Sequence, residues 1–213
     1  SVLIYLASFI SRKGSKIKDL RYGYLPLIGC VFSICALILL EPDLGTAIAI
    51  ICVSFLVIFI GGGKIKHLIS SALLALPAVY YLIFSVPYRR KRILAFMDPW
   101  QDREGSGFQI VQSFLALGSG GLLGVGLGQS KQKLFYLPEA HTDFIFSIIG
   151  EELGFLGAFS VLAIFGVFVF LGFRAAFYEN RPFNKMLIFG LVSMIAFEAF
   201  VNMGVSVGIF PTK

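Results

Sequence analysis

The sequence predicts an all-α polytopic membrane protein. Hydrophobic residues make up 57% of the 213 residues and charged residues only 14%, whereas about a quarter of an average soluble domain is charged. The apolar residues also come in long blocks, and roughly 20 such residues suffice for a helix to span a bilayer. An ordinary soluble globular domain is therefore excluded.

Six apolar blocks are the candidate spans: 1–10, 23–40, 43–61, 67–86, 144–172 and 186–210. The first has only half the length of a span, and the chain stops abruptly after its last block, so we expect a segment of a longer polytopic protein. The second and third blocks are separated only by Glu41, Pro42 and Asp43. Because proline breaks a helix and charge is costly in lipid, this junction predicts a tight helical hairpin.

Charge in the connecting segments predicts the orientation. Lysine and arginine concentrate in 11–22, 61–67 and 173–185, which we place in the cytoplasm by the positive-inside rule. The turn 41–45 and the long loop 87–143 then lie outside. Within that loop, 107–128 predicts an amphipathic interfacial helix followed by a glycine-rich, re-entrant connection packed against protein.

Several function classes are disfavoured by the composition. The net charge of +6 is explained by basic loops near anionic lipid rather than by nucleic-acid binding. Cys30, Cys35 and Cys52 lie in apolar runs without metal-ligand spacing, which is typical of small buried side chains. The glycine run lacks the lysine and the strand–turn–helix context of a phosphate-binding loop.

Two charged groups outside the spans are candidate binding residues. Glu41 and Asp43 flank the outer end of the hairpin, where Asp43 is either a helix cap or a functional acid. The cationic run 89–92 either anchors lipid headgroups or binds a phosphate or pyrophosphate, since guanidinium groups bind such oxygens bidentately.

The stretch 137–146 places Glu139, His141 and Asp143 directly before the predicted helix 143–172. One interpretation is a simple N-cap provided by Thr142 or Asp143. The other is a reactive cluster, favoured because Glu151 follows Asp143 by eight residues on the same helix face and intramembrane acids are usually functional. Glu198, followed by Asn202, is a similar intramembrane acid with either a structural or a functional role.

Four motifs carry a resemblance to a known family: EPDLGTA (41–47), AFMDPWQDREGSGFQIVQSFLALGSGG (95–121), GLGQSKQKLFYLPEAHTDFIFSIIGEELGFLG (126–157) and NMGVSVGIFPTK (202–213). The chain resembles, over essentially its whole length, the SEDS family of bacterial cell-wall proteins that comprises FtsW, RodA and SpoVE. The third motif is closer to the division-type members than to the elongation-type RodA. The resemblance implies a SEDS-like multi-span bundle in which residues 1–213 form one transmembrane domain with about six of ten spans.

The resemblance further implies a peptidoglycan glycosyltransferase that polymerises lipid II at the outer face of the bacterial inner membrane, for septal synthesis in cell division. Loop 87–143 would carry the active site, with Asp143 as the general base that activates the acceptor sugar hydroxyl. His141 is either an orienting neighbour of Asp143 or a loop hydrogen-bonder. We expect substrate binding by Arg89, Arg90, Arg92, Glu139, His141, Glu41, Asp43 and Lys213, and no protein metal ligands.

A divalent cation, Mg²⁺ or Mn²⁺, is the one cofactor hypothesis, because a carboxylate alone is a weak base toward an alcohol. The expected partners are lipid II, a class B penicillin-binding transpeptidase and other divisome proteins. Two alternatives remain open: a flippase for a lipid-linked precursor and a scaffold for the transpeptidase. An acid at the outer end of a helix favours the enzyme, whereas a flippase needs polar residues along a path across the bilayer.

Overall fold

A computed structural model describes residues 1–41, 43–102, 105, 107–132 and 142–212. Within these ranges there are helices and turns but no strands, which confirms the all-α class. The α-helices are α1 (Val2–Lys13), α2 (Leu25–Leu40), α3 (Leu44–Ile60), α4 (Ile65–Phe84), α5 (Pro87–Met97), α6 (Phe108–Gly120), α7 (Ile145–Tyr178) and α8 (Pro182–Ser206). A 3-10 turn (Gly14–Lys18) and a π-helical turn (Leu20–Tyr24) join α1 to α2.

Four helical stretches in the described ranges are long and apolar enough to cross a membrane: Leu20–Leu40, Ile65–Phe84, Ile145–Tyr178 and Pro182–Ser206. Helix α3 is also apolar but has only 17 residues. These helices coincide with predicted blocks, because long apolar runs leave the backbone no partners in lipid except those within a helix. The chain is therefore a multi-pass membrane protein.

The loop predicted at 173–185 is wrong in extent. Helix α7 continues to Tyr178 and α8 already begins at Pro182. The basic side chains of this region lie along the helices instead of ending them: the Arg174 guanidinium is 5.9 Å from the centre of the Tyr178 ring, and Lys185 Nζ is 5.3 Å from that of Phe177. Long cationic side chains can cover apolar surface while keeping their charge at its edge.

The first of two compact units comprises Ser1–Ala78 and Val167–Glu198. Its core includes the fully buried side chains of Leu6, Leu27 and Ile58. Since lipid is as apolar as these side chains, close packing rather than exclusion of water must hold the helices together. At Gly190 an added Cβ would lie 3.2 Å from Leu3 Cδ2 and 3.3 Å from Val57 Cγ2, so glycine lets α8 approach α1 and α3.

The predicted hairpin lies within this first unit. Helix α2 ends at Leu40 and α3 begins at Leu44. Asp43 is the N-cap of α3, because the backbone nitrogen of Thr46 donates to its Oδ1 at 2.9 Å. The capping interpretation of Asp43 is therefore confirmed.

The second unit comprises Val79–Gly166 and Ala199–Lys213. The predicted amphipathic helix is α6, which buries Ile110, Ser113 and Ala116 on one face. The glycine-rich segment that follows is paired with α7 through the backbone: the amides of residues 125 and 126 donate to the carbonyls of residues 151 and 152, both at 3.0 Å.

Helix α7 is kinked where this segment meets it. Gly154 has φ 68° and ψ −166°, a conformation that favours glycine. A Cβ at Gly154 would overlap the backbone nitrogen of Gly124, and a Cβ at Gly124 would overlap the carbonyl of Glu152. The glycines therefore allow two backbones to touch, which agrees with the prediction of a connection packed against protein.

Candidate active site

Asp143 lies two residues before the start of α7 and is half-buried, between exposed Thr142 and buried Phe144. The Phe144 side chain is only 1% exposed and belongs to a cluster with Ile148 and Val205. Because the cluster joins α7 to α8, it fixes the backbone from which the Asp143 side chain projects.

A second contact fixes the other side of Asp143. Asn202 Nδ2 in α8 donates to the carbonyl oxygen of Thr142 at 3.0 Å, and Ser206 Oγ donates to the carbonyl of Asn202 at 3.1 Å. Asp143 is thus flanked by two residues that are each tied to α8. The sequence indicated Asn202 only as a companion of Glu198; Glu198 itself is exposed in the first unit.

Three buried serines connect the helices around this position. Ser113 of α6 lies 2.5 Å from Ser147 of α7, oxygen to oxygen, and donates to the carbonyl of Ser206 in α8 at 2.7 Å. All three residues are fully buried. Sequence analysis missed them, although small polar residues inside apolar helices are a known signal of helix–helix contacts.

The end of α8 is fixed by a glycine turn. Gly208 has φ 71°, and the amides of Gly208 and Ile209 donate to the carbonyls of Val205 and Gly204 at 3.1 and 2.7 Å. This is the Schellman pattern of helix termination. It returns Phe210 to the Phe144 cluster, so the residues after α8 also support the start of α7.

The interpretation of Asp143 as a helix cap is wrong. Helix α7 starts at Ile145 rather than at residue 143, and the amides of Ser147 and Ile148 donate to the carbonyl of Phe144. Within the described part of the chain, no hydrogen bond to the Asp143 carboxylate is found. The Asp143 carboxylate is therefore held in position but does not cap the helix that it precedes.

The predicted arginine set divides into buried and exposed members. Arg89 is 8% exposed, and its Nη1 donates at 2.9 Å to the carbonyl of Leu82, one of the last carbonyls of α4. Arg92 lies over the Tyr88 ring, 5.2 Å from its centre, whereas Arg90 is exposed. Arg89 thus has a structural contact, and Arg90 has the accessibility that anion binding needs.

The remaining predicted site residues are distributed as follows. Exposed Glu41 and capping Asp43 belong to the first unit, and Asp143 belongs to the second. Glu139, His141 and Lys213 lie outside the described residues. Among the residues that are described, no three histidine, cysteine or acidic side chains converge on a metal-binding arrangement. We therefore derive no step through a metal.

Comparison with known proteins shows which family the chain resembles. A family model described as "Cell cycle protein", FtsW/RodA/SpoVE, matches residues 1–213. A protein named "Probable peptidoglycan glycosyltransferase FtsW" from Geobacter metallireducens is 43% identical over the whole chain, which covers 57% of that relative. "Stage V sporulation protein E" from Bacillus subtilis is 43% identical over 99% of the chain, covering 58% of that protein.

A solved structure agrees with these relatives. It is described as "Structural coordination of polymerization and crosslinking by a peptidoglycan synthase complex" and matches with a TM-score of 0.74 at 29% identity, covering 99% of this chain and 58% of the other. The chain thus spans less than three fifths of each of these proteins. Since the family model matches every residue, the chain belongs to the FtsW/RodA/SpoVE family.

Proposed function

We propose that the protein containing this chain is a peptidoglycan glycosyltransferase that polymerises lipid II. The carrying observation is the half-buried Asp143, held by a buried phenylalanine on one side and by the Asn202–Thr142 hydrogen bond on the other. A general base must be fixed within hydrogen-bond reach of the proton that it removes. The names of the relatives, which are peptidoglycan glycosyltransferases, support this reaction class.

The proposed step is a substitution at the donor sugar. The acceptor's 4-hydroxyl oxygen bonds to C1 of the donor, the bond between C1 and the pyrophosphate oxygen breaks, and undecaprenyl pyrophosphate leaves with that electron pair. The hydroxyl proton passes to the Asp143 carboxylate. Exposed Arg90, with Arg92 beside it, is the described group that can neutralise the leaving pyrophosphate.

The cellular setting follows from the same relatives. Names of the FtsW type favour septal synthesis in cell division, and the structural neighbour's description favours a partner transpeptidase that crosslinks the polymer. The positive-inside pattern supports a position of Asp143 at the outer face of the bacterial inner membrane. The peptide-carrying disaccharide would then reach the enzyme on the side where the wall is built.

The test is polymerisation of lipid II by the purified full-length protein with its transpeptidase. We expect Asp143→Asn to lower kcat by about 10²–10⁴-fold, the usual contribution of a general base, without a change in lipid II binding. The matched control is Glu179→Gln, because Glu179 is the acid just beyond the other end of α7; we expect it to retain wild-type activity.

Two outcomes would contradict the proposal. Normal polymerisation by a folded Asp143→Asn protein would remove Asp143 as the base. Translocation of lipid II without polymerisation by the wild type would support the transporter alternative instead. Equal activity with and without a chelator would exclude the divalent cation.

A further inference from the structure

Glu151 is a buried acid in α7 with a specific hydrogen-bonding role. Its side chain is only 3% exposed. Ser130 Oγ donates to Oε2, and the backbone nitrogen of Lys131 donates to Oε1 at 3.2 Å. An acid buried in an apolar helix is costly unless it is hydrogen-bonded, and both of these donors come from one short segment.

This segment is the last described part of the chain before it returns at Thr142 next to Asp143. Asp143 lies eight residues before Glu151 in the chain and two residues before α7 begins. Glu151 therefore ties the outgoing chain to the same helical segment whose start carries Asp143. Glu139 and His141 belong to the intervening sequence, whose last described residues before Thr142 are held at Ser130 and Lys131.

Burial of Ser130 and two backbone hydrogen bonds strengthen this end of the connection. Ser130 itself is fully buried. A few residues earlier, the amides of Val125 and Gly126 donate to the carbonyls of Glu151 and Glu152. The backbone contacts hold the glycine segment, whereas the Glu151 side chain holds residues 130 and 131. Only the side-chain contact can be removed by substitution without touching the backbone junction.

We propose that Glu151 is a positioning residue for the transfer reaction: through Ser130 and Lys131 it fixes the outgoing end of the connection to Asp143. The inference rests on the proposed polymerase function. It assigns Glu151 no contact with substrate. Its effect is on the geometry of the reacting groups, where a displacement of about 1 Å can cost 10²-fold in rate.

The experiment compares Glu151→Met, which removes both acceptor oxygens at similar size, Ser130→Ala and the double variant in the full-length protein with its transpeptidase. We expect each single variant to lower kcat for lipid II polymerisation by about 10–100-fold, with KM within about threefold. The double variant should be little worse than either single one, because both remove the same contact. The control is Glu152→Met: this neighbour's Oε1 is buried without a hydrogen-bond partner in the described chain, so we expect activity within about twofold of wild type.

A second readout does not depend on activity. The Lys131 amide is hydrogen-bonded to Glu151, so hydrogen exchange of a peptide covering residues 128–132 should accelerate in Glu151→Met while α7 stays protected. Faster exchange there with undiminished kcat would overturn the positioning role and leave the polymerase function intact. Unchanged exchange would overturn the contact itself.

The two readouts also separate the two proposals. A wild-type protein that does not polymerise lipid II refutes the proposed function and with it the positioning role, and exchange then reports only on the contact. If Glu151→Met loses protection throughout α7 because it unfolds, Ser130→Ala decides, since it removes one hydroxyl and no charge. A folded Ser130→Ala protein with wild-type kcat would contradict the inference.

Discussion

The buried serine contact between α6, α7 and α8 gives a prediction whose size follows from its geometry. A hydroxyl has one proton. Ser113 donates that proton to the carbonyl of Ser206 at 2.7 Å, so the 2.5 Å contact with Ser147 requires Ser147 to donate to Ser113. Ser113→Ala therefore removes one donor and one acceptor at once.

Both partners of Ser113 lose a hydrogen bond in a place without water, since all three serines are fully buried. A hydrogen bond between membrane helices contributes on average about 0.6 kcal/mol and at most about 1.7, and soluble proteins give about 0.5–1.5. We expect the loss of two bonds to lower the free energy of unfolding by roughly 1–3 kcal/mol. The alanine leaves only a small void, so packing adds little.

The assay is reversible unfolding of the full-length protein in mixed detergent. The matched control is Ser33→Ala, because the exposed Ser33 hydroxyl bonds only to a carbonyl of its own helix, Gly29, at 2.8 Å; we expect a change within about 0.5 kcal/mol. The double variant Ser113→Ala/Ser147→Ala should cost less than the sum of the single variants, since they share a bond. A Ser113→Ala cost no larger than that of Ser33→Ala would refute this reasoning.

Two further predictions concern the kink of α7 and the arginine run. Gly154→Ala should abolish folding or lower the unfolding temperature by several degrees, because its positive φ and its overlap with Gly124 leave no room for a methyl group. The control is Gly166→Ala in the same helix. A Cβ there meets nothing within 4 Å, so this variant should be neutral or mildly stabilising in the same thermal assay. Arg89→Gln should lower the unfolding free energy by about 1.5–3 kcal/mol through loss of a charged hydrogen bond, whereas exposed Arg90→Gln should raise KM for lipid II several-fold at unchanged stability; the reverse pattern would contradict the assignment of the two arginines.

The membrane-spanning segments were predictable because a long apolar run in lipid can pair its backbone polar groups only by forming a helix. The hairpin at Glu41–Asp43 and the amphipathic α6 were predictable for similar local reasons, since caps and helical periodicity are written in neighbouring residues. The end of α7 and the start of α8 were not, because Arg174 and Lys185 resemble loop residues in composition but lie within these helices, beside aromatic rings.

The supports of the candidate site depend on residues far apart in the chain. Ser113 meets partners 34 and 93 residues away, and Asn202 meets a carbonyl 60 residues away. A small polar residue in an apolar helix signals a helix–helix contact but does not identify the partner. Burial of Arg89 was equally hidden, because a run of four cations predicts an exposed surface on average and does not show which member turns inward.

The kink at Gly154 also divides α7 into two parts with different roles in the membrane. A straight helix of 34 residues would be roughly 51 Å long, far more than the hydrocarbon thickness of about 30 Å. Residues 155–178 alone supply roughly 36 Å, so they can absorb changes in bilayer thickness by tilting. The short part of α7 that follows Asp143 is held by the glycine segment instead. We therefore expect the depth of the Asp143 carboxylate in the membrane to stay constant when the bilayer thickness changes.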